Sequence, residues 1–157
     1  MIEIINSPTL KSWDGKQMVP AGGQVILTLD AETLAGADLS GQRLHWAYLP
    51  LADLKRVNFS HTSLHGANLS GADLRGANFA KASMMMANLM GANLAGAFLS
   101  GAILPGARLQ GADLRFAVLQ DAMLRYARYD ETTLWPEGFD PQQVGAKLPS
   151  QIREWAV

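Results

Sequence analysis

Cysteine is absent from the 157-residue sequence. That excludes disulfides, thiolate metal sites and a thiol nucleophile, and with them a secreted disulfide scaffold. Excess charge is lacking too: 13 Lys and Arg against 14 Asp and Glu give a formal net charge of −1. This argues against a strongly basic nucleic-acid binder, and direct nucleic-acid binding is not expected. No apolar run approaches the roughly 20 residues that a membrane span requires, so no membrane role is expected. The opening "MIEIINSPTL" has neither a basic region nor a long apolar stretch and does not read as a signal peptide. With 48% hydrophobic residues, the expectation is a single domain, 1–157, soluble and cytoplasmic.

What is present is a period. "MMMANLMGANLAGAFLSGA", Met84 to Ala102, has a large apolar residue every five positions. The series begins at Leu34, Leu39, Leu44, Leu49 and Leu54 and continues through Phe59, Phe79 and Met84 to Leu124, Tyr129 and Leu134. Ala stands two residues before each central residue from Ala67 through Ala127. Asp or Asn often precedes the central residue, as at Asp53, Asn68 and Asp113. Gly often follows it by two, as at Gly66 and Gly106.

An α-helix cannot keep such residues on one face, because five residues turn it about 500°. A flat strand fails as well, since an odd period alternates faces. The chain must bend once per five residues, and Gly near the bends tolerates positive φ. The result is a flat-sided coil with every central residue inside. Asp53/Lys55, Asp73/Arg75 and Asp113/Arg115 recur at multiples of twenty, and Phe59 and Phe79 are twenty apart. Twenty is four repeats, which favours four sides per coil.

"ANLSGADLRGANF" and "GADLRFAVL" resemble the A-(D/N)-L-x-x pattern of the pentapeptide-repeat proteins over Leu34 to Leu134. The resemblance implies an all-β fold, a right-handed quadrilateral β-helix, with the central residue and the Ala inward and the other three positions outward. Gln42, Val57 and Thr62 depart from it at the Ala position, and Met84 and Tyr129 at the centre.

A stack of coils needs closed ends. Residues 1–30 lack the repeat, but Asp14-Gly15 and "PAGG" are turn signals and Val25, Leu27 and Leu29 alternate. A β-rich N-terminal cap is expected there, with the solenoid over 31–134 and a C-terminal cap over 135–157. Asp140, Pro141 and Gln143 match a helix start, and "SQIREWAV" suggests a short α-helical cap. Ile152 and Trp155 lie on one side of it, as a cap surface or a dimer contact.

No catalytic constellation or cofactor site is expected. The acid–base pairs are outward and neutralise one another. His45 and His65 are one coil apart without a third ligand, so a metal site is not expected. The side built on Leu44, Leu64, Met84, Leu104 and Leu124 is poorest in acid and richest in outward apolar residues. Met84 is expected in the core; Met85 and Met86 point out, and Met90 points out around the next corner. Trp46, Met85, Met86, Ile103, Met123 and Tyr126 form a candidate contact surface for one helix or strand edge of a protein partner, a homodimer being the simplest case. The expected function is a non-catalytic interaction or scaffold module. The resemblance supplies an alternative, a DNA-mimicking protein that binds gyrase. Against it, Arg43, Lys55, Arg56, Arg75, Lys81, Arg108, Arg115, Arg125 and Arg128 outnumber the acids of the repeat.

Overall fold

The computed structural model of the protein describes residues 2–6, 12–13, 18–19, 24–29 and 33–152. Parallel bridges join Asp38 to Asn58, Arg43 to Ser63, Tyr48 to Asn68 and Asp53 to Asp73, and so on to Arg108 with Arg128, always twenty residues apart. Each coil therefore has four sides of five residues, as the slower periodicity predicts. The sides are named here by four consecutive buried central residues: Leu44, Leu49, Leu54 and Phe59.

One repeat shows how the backbone is satisfied. The Asn58 N–H donates to the Ala37 carbonyl at 2.9 Å and the Phe59 N–H to the Asn78 carbonyl at 2.7 Å. The His61 N–H reaches the Ala80 carbonyl at 2.9 Å, and the Thr62 N–H turns back to the Phe59 carbonyl at 3.1 Å. The fifth donor, the Ser60 N–H, is taken by the side chain of Asn58 at 3.1 Å. This explains the Asp/Asn position: its side-chain oxygen accepts the N–H two residues on, an Asx turn at the corner. Asp38, Asp53, Asn68, Asp73, Asn78, Asn88, Asn93 and Asp113 do the same.

Inside, Leu54, Leu64, Leu74, Met84, Leu89 and Leu94 are fully enclosed, and so are Ala67, Ala72, Ala77 and Ala87. Phe59 and Phe79 stack with ring centroids 5.2 Å apart. Val57 and Thr62 replace Ala without leaving the core. The Thr62 hydroxyl is accommodated by donating to the Leu39 carbonyl at 2.7 Å. Gln42, by contrast, is exposed.

The coil loses its regular length once. Asp113 bridges Leu134, twenty-one residues on, and Arg128 bridges Lys147, nineteen on. The expectation that Leu134 is a central residue is corrected: Leu134 faces out, and Trp135 packs partly against the core in its place. The extra residue is held by side chains. The Asp130 carboxylate accepts from the N–H groups of Gly111 and Thr132, at 3.2 and 3.0 Å. The Thr133 hydroxyl donates to the Leu109 carbonyl at 2.9 Å, as Thr62 does to Leu39.

The first thirty residues contribute two antiparallel pairs: β1 (Ile2–Asn6) with β4 (Gln24–Leu29), and β2 (Ser12–Trp13) with β3 (Met18–Val19). Ile4 is buried in the same core as the coils. The Asp14-Gly15 and "PAGG" turns lie outside the described residues. At the other end, Tyr129 meets Trp135 edge-on at 5.6 Å and Trp135 stacks on Phe139 at 5.2 Å. The expected α-helix is not formed among the described residues. Asp140 accepts the Gln142 N–H in an isolated Asx turn, and the backbone after Gly145 returns to the coil, the Lys147 N–H donating to the Ala127 carbonyl at 2.8 Å. A 3-10 helix, Pro149–Gln151, follows, and residues 153–157 of the expected helix lie outside the described residues.

Ala92 has no room for further atoms. Ala92→Leu should cost about 1–3 kcal/mol through overpacking, whereas Ser100→Leu, on an outward position, should be nearly neutral. Thermal melts check this, and equal shifts would reverse the inside–outside assignment. A second outcome concerns acid. Hydrogen bonds from Arg115 to Asp113, at 3.0 and 2.8 Å, hold that carboxyl below its ordinary range. A lowered folded pKa contributes stability above about pH 4 that is lost as pH falls through the folded value. Asp113→Asn keeps the turn acceptor but not the ion pair. It should melt slightly lower than wild type at pH 7, with the gap closing as the pH drops below about 4.

Candidate functional site

The Leu44 side presents three outward columns. Arg43, Ser63, Ser83, Ile103 and Met123 form the first; His45, His65, Met85, Pro105 and Arg125 the second; Trp46, Gly66, Met86, Gly106 and Tyr126 the corner. Met84 is buried, Met85 and Met86 are exposed and Met90 is partly exposed, as the repeat predicts. Trp46, Met85, Met86, Met123 and Tyr126 are exposed and Ile103 partly so; the structure brings all six onto this one side and its corner. Trp155 lies outside the described residues. Ile152 follows the 3-10 helix and is half-buried.

The corner column has a cost. Trp46, Met86 and Tyr126 have φ of 60°, 59° and 62°, the left-handed region that the intervening Gly66 and Gly106 occupy freely. A side chain there costs roughly 1–2 kcal/mol. The large residues are laid flat: the Trp46 ring fills the space that a Cβ on Gly66 would need, and the Met86 sulfur does so at Gly106. The alternation of large residue and glycine is thus one coil leaning on the next. His65 also meets the Trp46 ring edge-on at 5.4 Å.

The sequence matches the profile described as Pentapeptide repeats in eight copies, over residues 52–89 and 87–125. It is similar to the crystal structure of alr5209, a pentapeptide repeat protein from Nostoc Pcc 7120, with 37% identity and a TM-score of 0.53, over 71% of this chain and 84% of that one. The chain belongs to the pentapeptide-repeat family. It also resembles HetL, a pentapeptide repeat protein involved in heterocyst differentiation regulation from the cyanobacterium Nostoc sp. strain PCC 7120. That identity is 31% and the TM-score 0.54, with 74% of this chain covered and 64% of HetL's. No curated protein matches the sequence.

Within this pentapeptide-repeat rod the charges are unevenly spread. On the Leu54 side Asp53, Asp73 and Asp113 pair with Lys55, Arg75 and Arg115 at 3.1, 2.7 and 2.8 Å. The Leu44 side carries Arg43 and Arg125 and no carboxylate. Across its corner Arg108, Arg128 and Lys147 stack in one bridged column, and among the described residues none of the three has an acidic partner. The Arg125 guanidinium lies over the Tyr126 ring at 4.9 Å. The rings of His45 and His65 are 6.3 Å apart, and no third metal-ligating side chain joins them among the described residues.

Sequence reasoning missed a second apolar group. Phe98, Phe116 and Val118 are exposed on the Phe59 side and its entering corner, Phe116 at 81% with φ 63°. Reading that side's columns as closely as those of the Leu44 side would have found them.

Gly66 and Gly96 have nearly the same φ, 65° and 67°, but only Gly66 is overlain by a ring; nothing lies within 4 Å of a Cβ built on Gly96. Gly66→Ala should therefore cost about 1–3 kcal/mol more than Gly96→Ala. In a Trp46→Gly background the two should become equal. Denaturant titration of the four variants reads this directly.

Proposed function

We propose that this protein is a non-catalytic interaction module that binds a protein partner through the Leu44 side of its rod. The observation that carries the reading is the corner column. Trp46, Met86 and Tyr126 hold a left-handed backbone where glycine would relieve the strain, and they expose apolar surface instead. Leu51, Arg56, His61, Lys81, Phe116 and Asp121 hold the same backbone at other corners, but only in this column do three large apolar residues recur, and an exposed apolar stripe of that kind supports a contact surface. Methionine suits such a surface because it repacks against its partner. The terminal segments, 1–30 and 135–157, close the ends of a right-handed quadrilateral coil, and the chain works as one domain in the cytoplasm. Among the described residues no helix is long and apolar enough to cross a membrane. DNA mimicry of the gyrase-binding kind is the weaker reading, because it needs an acidic rod and bases outnumber acids along this repeat.

Affinity capture from the native host, comparing wild type with Met86→Asp, tests the proposal. A partner held by wild type and lost in the variant is the expected result. Light scattering on both proteins and on a truncation after Leu148 shows whether that partner is a second copy. A dimer lost only on truncation would move the contact to the segment around Ile152 and Trp155.

A further inference from the structure

The Leu44 side differs from the other three in its backbone. On each of the other sides Asp or Asn stands before two or more central residues and accepts the N–H at the corner, as Asn58 does for Ser60 and Asp73 for Arg75, although Tyr48, Phe98, Arg108, Val118 and Arg128 interrupt the pattern. On the Leu44 side that column is Arg43, Ser63, Ser83, Ile103 and Met123, with no Asp or Asn at all. The N–H groups of His45, His65, Met85 and Arg125 consequently have no acceptor among the described residues, while their neighbours Leu44, Trp46, Leu64 and Gly66 are all bonded to the next coil. Three outward N–H donors on consecutive coils, at His45, His65 and Met85, thus run beside Trp46 and Met86; Pro105, which has no N–H, separates them from Arg125.

From this we infer that the partner segment is an amphipathic helix whose apolar stripe lies on Trp46, Met86 and Tyr126 and whose flanking carboxylates accept from the free N–H groups of His45, His65 and Met85. The inference rests on the proposed use of this side and names the chemistry of what it binds. Three observations carry it. The free donors want acceptors, and a carboxylate is the strongest protein acceptor for backbone N–H. The surrounding charge is of one sign: Arg43 and Arg125 on the side, Arg108, Arg128 and Lys147 across the corner. The backbone carbonyls and remaining N–H groups of the side are spent between coils, as in Leu64 N–H to Ser83 carbonyl and Ser83 N–H to Thr62 carbonyl. A strand added here would find no ladder to join, so the partner must satisfy its own backbone, as a helix does.

The spacing agrees. Carboxylates at i and i+3 of a helix rise about 4.5 Å, close to the roughly 4.8 Å between coils. From Trp46 to Tyr126 is four coils, about 19 Å or about 13 helical residues. A second copy fits poorly: an antiparallel two-fold pairing centred on Met86 brings Arg43 against Arg125, and the described residues contain no α-helix. A membrane fits poorly as well, since Trp46 and Met86 lie flat over glycines rather than projecting.

The test selects from a displayed library of 15-residue helix-forming peptides against the full chain, then measures the best binder by fluorescence anisotropy. Selected peptides should carry Asp or Glu at i, i+3 or i+4 beside an apolar stripe. Met86→Asp should weaken binding at least tenfold. The paired substitution Ser63→Asn and Ser83→Asn supplies the missing internal acceptors without changing charge. It should preserve or raise the melting temperature and also weaken binding at least tenfold. Loss with Met86→Asp but none with the paired substitution overturns the donor column and leaves the surface standing. Binding indifferent to Met86→Asp overturns both. Basic or neutral binders, an empty selection, or Met86-dependent binding to phosphatidylglycerol vesicles instead of peptides would each overturn the helix.

Discussion

Most amides in the coil find an acceptor within the chain, and the parallel stacking of four-sided turns is what supplies the majority of them. Three of the five N–H groups in a repeat reach an adjacent coil, one closes the corner on its own coil, and the last depends on a side chain. The remaining features follow. The filled interior favours a small residue two before each centre, so Ala occupies most of those positions, with Val57 and Thr62 also accommodated. The corner demands a left-handed residue, so Gly is common there. The side-chain acceptor must reach two residues on, so Asp and Asn stand before the centre. A residue departs from the pattern by meeting its demand in another way, as Thr62 does by giving its hydroxyl to the Leu39 carbonyl.

That accounting shows where function has room. The interior is filled and the paired charges of the Leu54 side neutralise one another, so chemistry is confined to outward positions. Departures occur on every side, Leu51, Arg56, His61, Lys81, Phe116 and Asp121 at corners and Phe98 and Val118 at acceptor positions among them, but the Leu44 side combines three apolar corners, Trp46, Met86 and Tyr126, with Ser63 and Ser83 where an acceptor would cap the turn. An Asn at position 83 would satisfy the Met85 N–H from within the chain, and a Gly at position 86 would relax the corner. The residues present do neither.

The repeat, its inward residues and its four sides are legible because each position meets the same surroundings many times over. Phase alone identifies Met84 as core and Met85 and Met86 as surface. What occurs once is harder to read. Leu134 keeps the phase of five and so looks central, while the added residue that turns it outward is stabilised by Asp130 and Thr133, whose role emerges only when Gly111 and Leu109 are brought beside them. Asp140, Pro141 and Gln143 carry a helix-start pattern, but the bonds of Gly145 and Lys147 to the preceding coil outweigh it. The unpaired donors at His45, His65 and Met85 were visible only as an absence of Asp and Asn, whose meaning depends on knowing what those residues do at the other corners.

The leaning side chains give the rod a direction. Trp46 overlies Gly66, Leu51 overlies Gly71 and Met86 overlies Gly106, in each case toward the later coil. Each such side chain therefore finds its seat only after the following twenty residues have been laid down. As the chain leaves the ribosome, Trp46, Leu51 and Met86 each stay unseated until the coil after them is made, and synthesis itself then covers them. Completed coils need nothing from upstream for this purpose. The end of the growing rod with corners still to be seated is the one attached to the machinery making it.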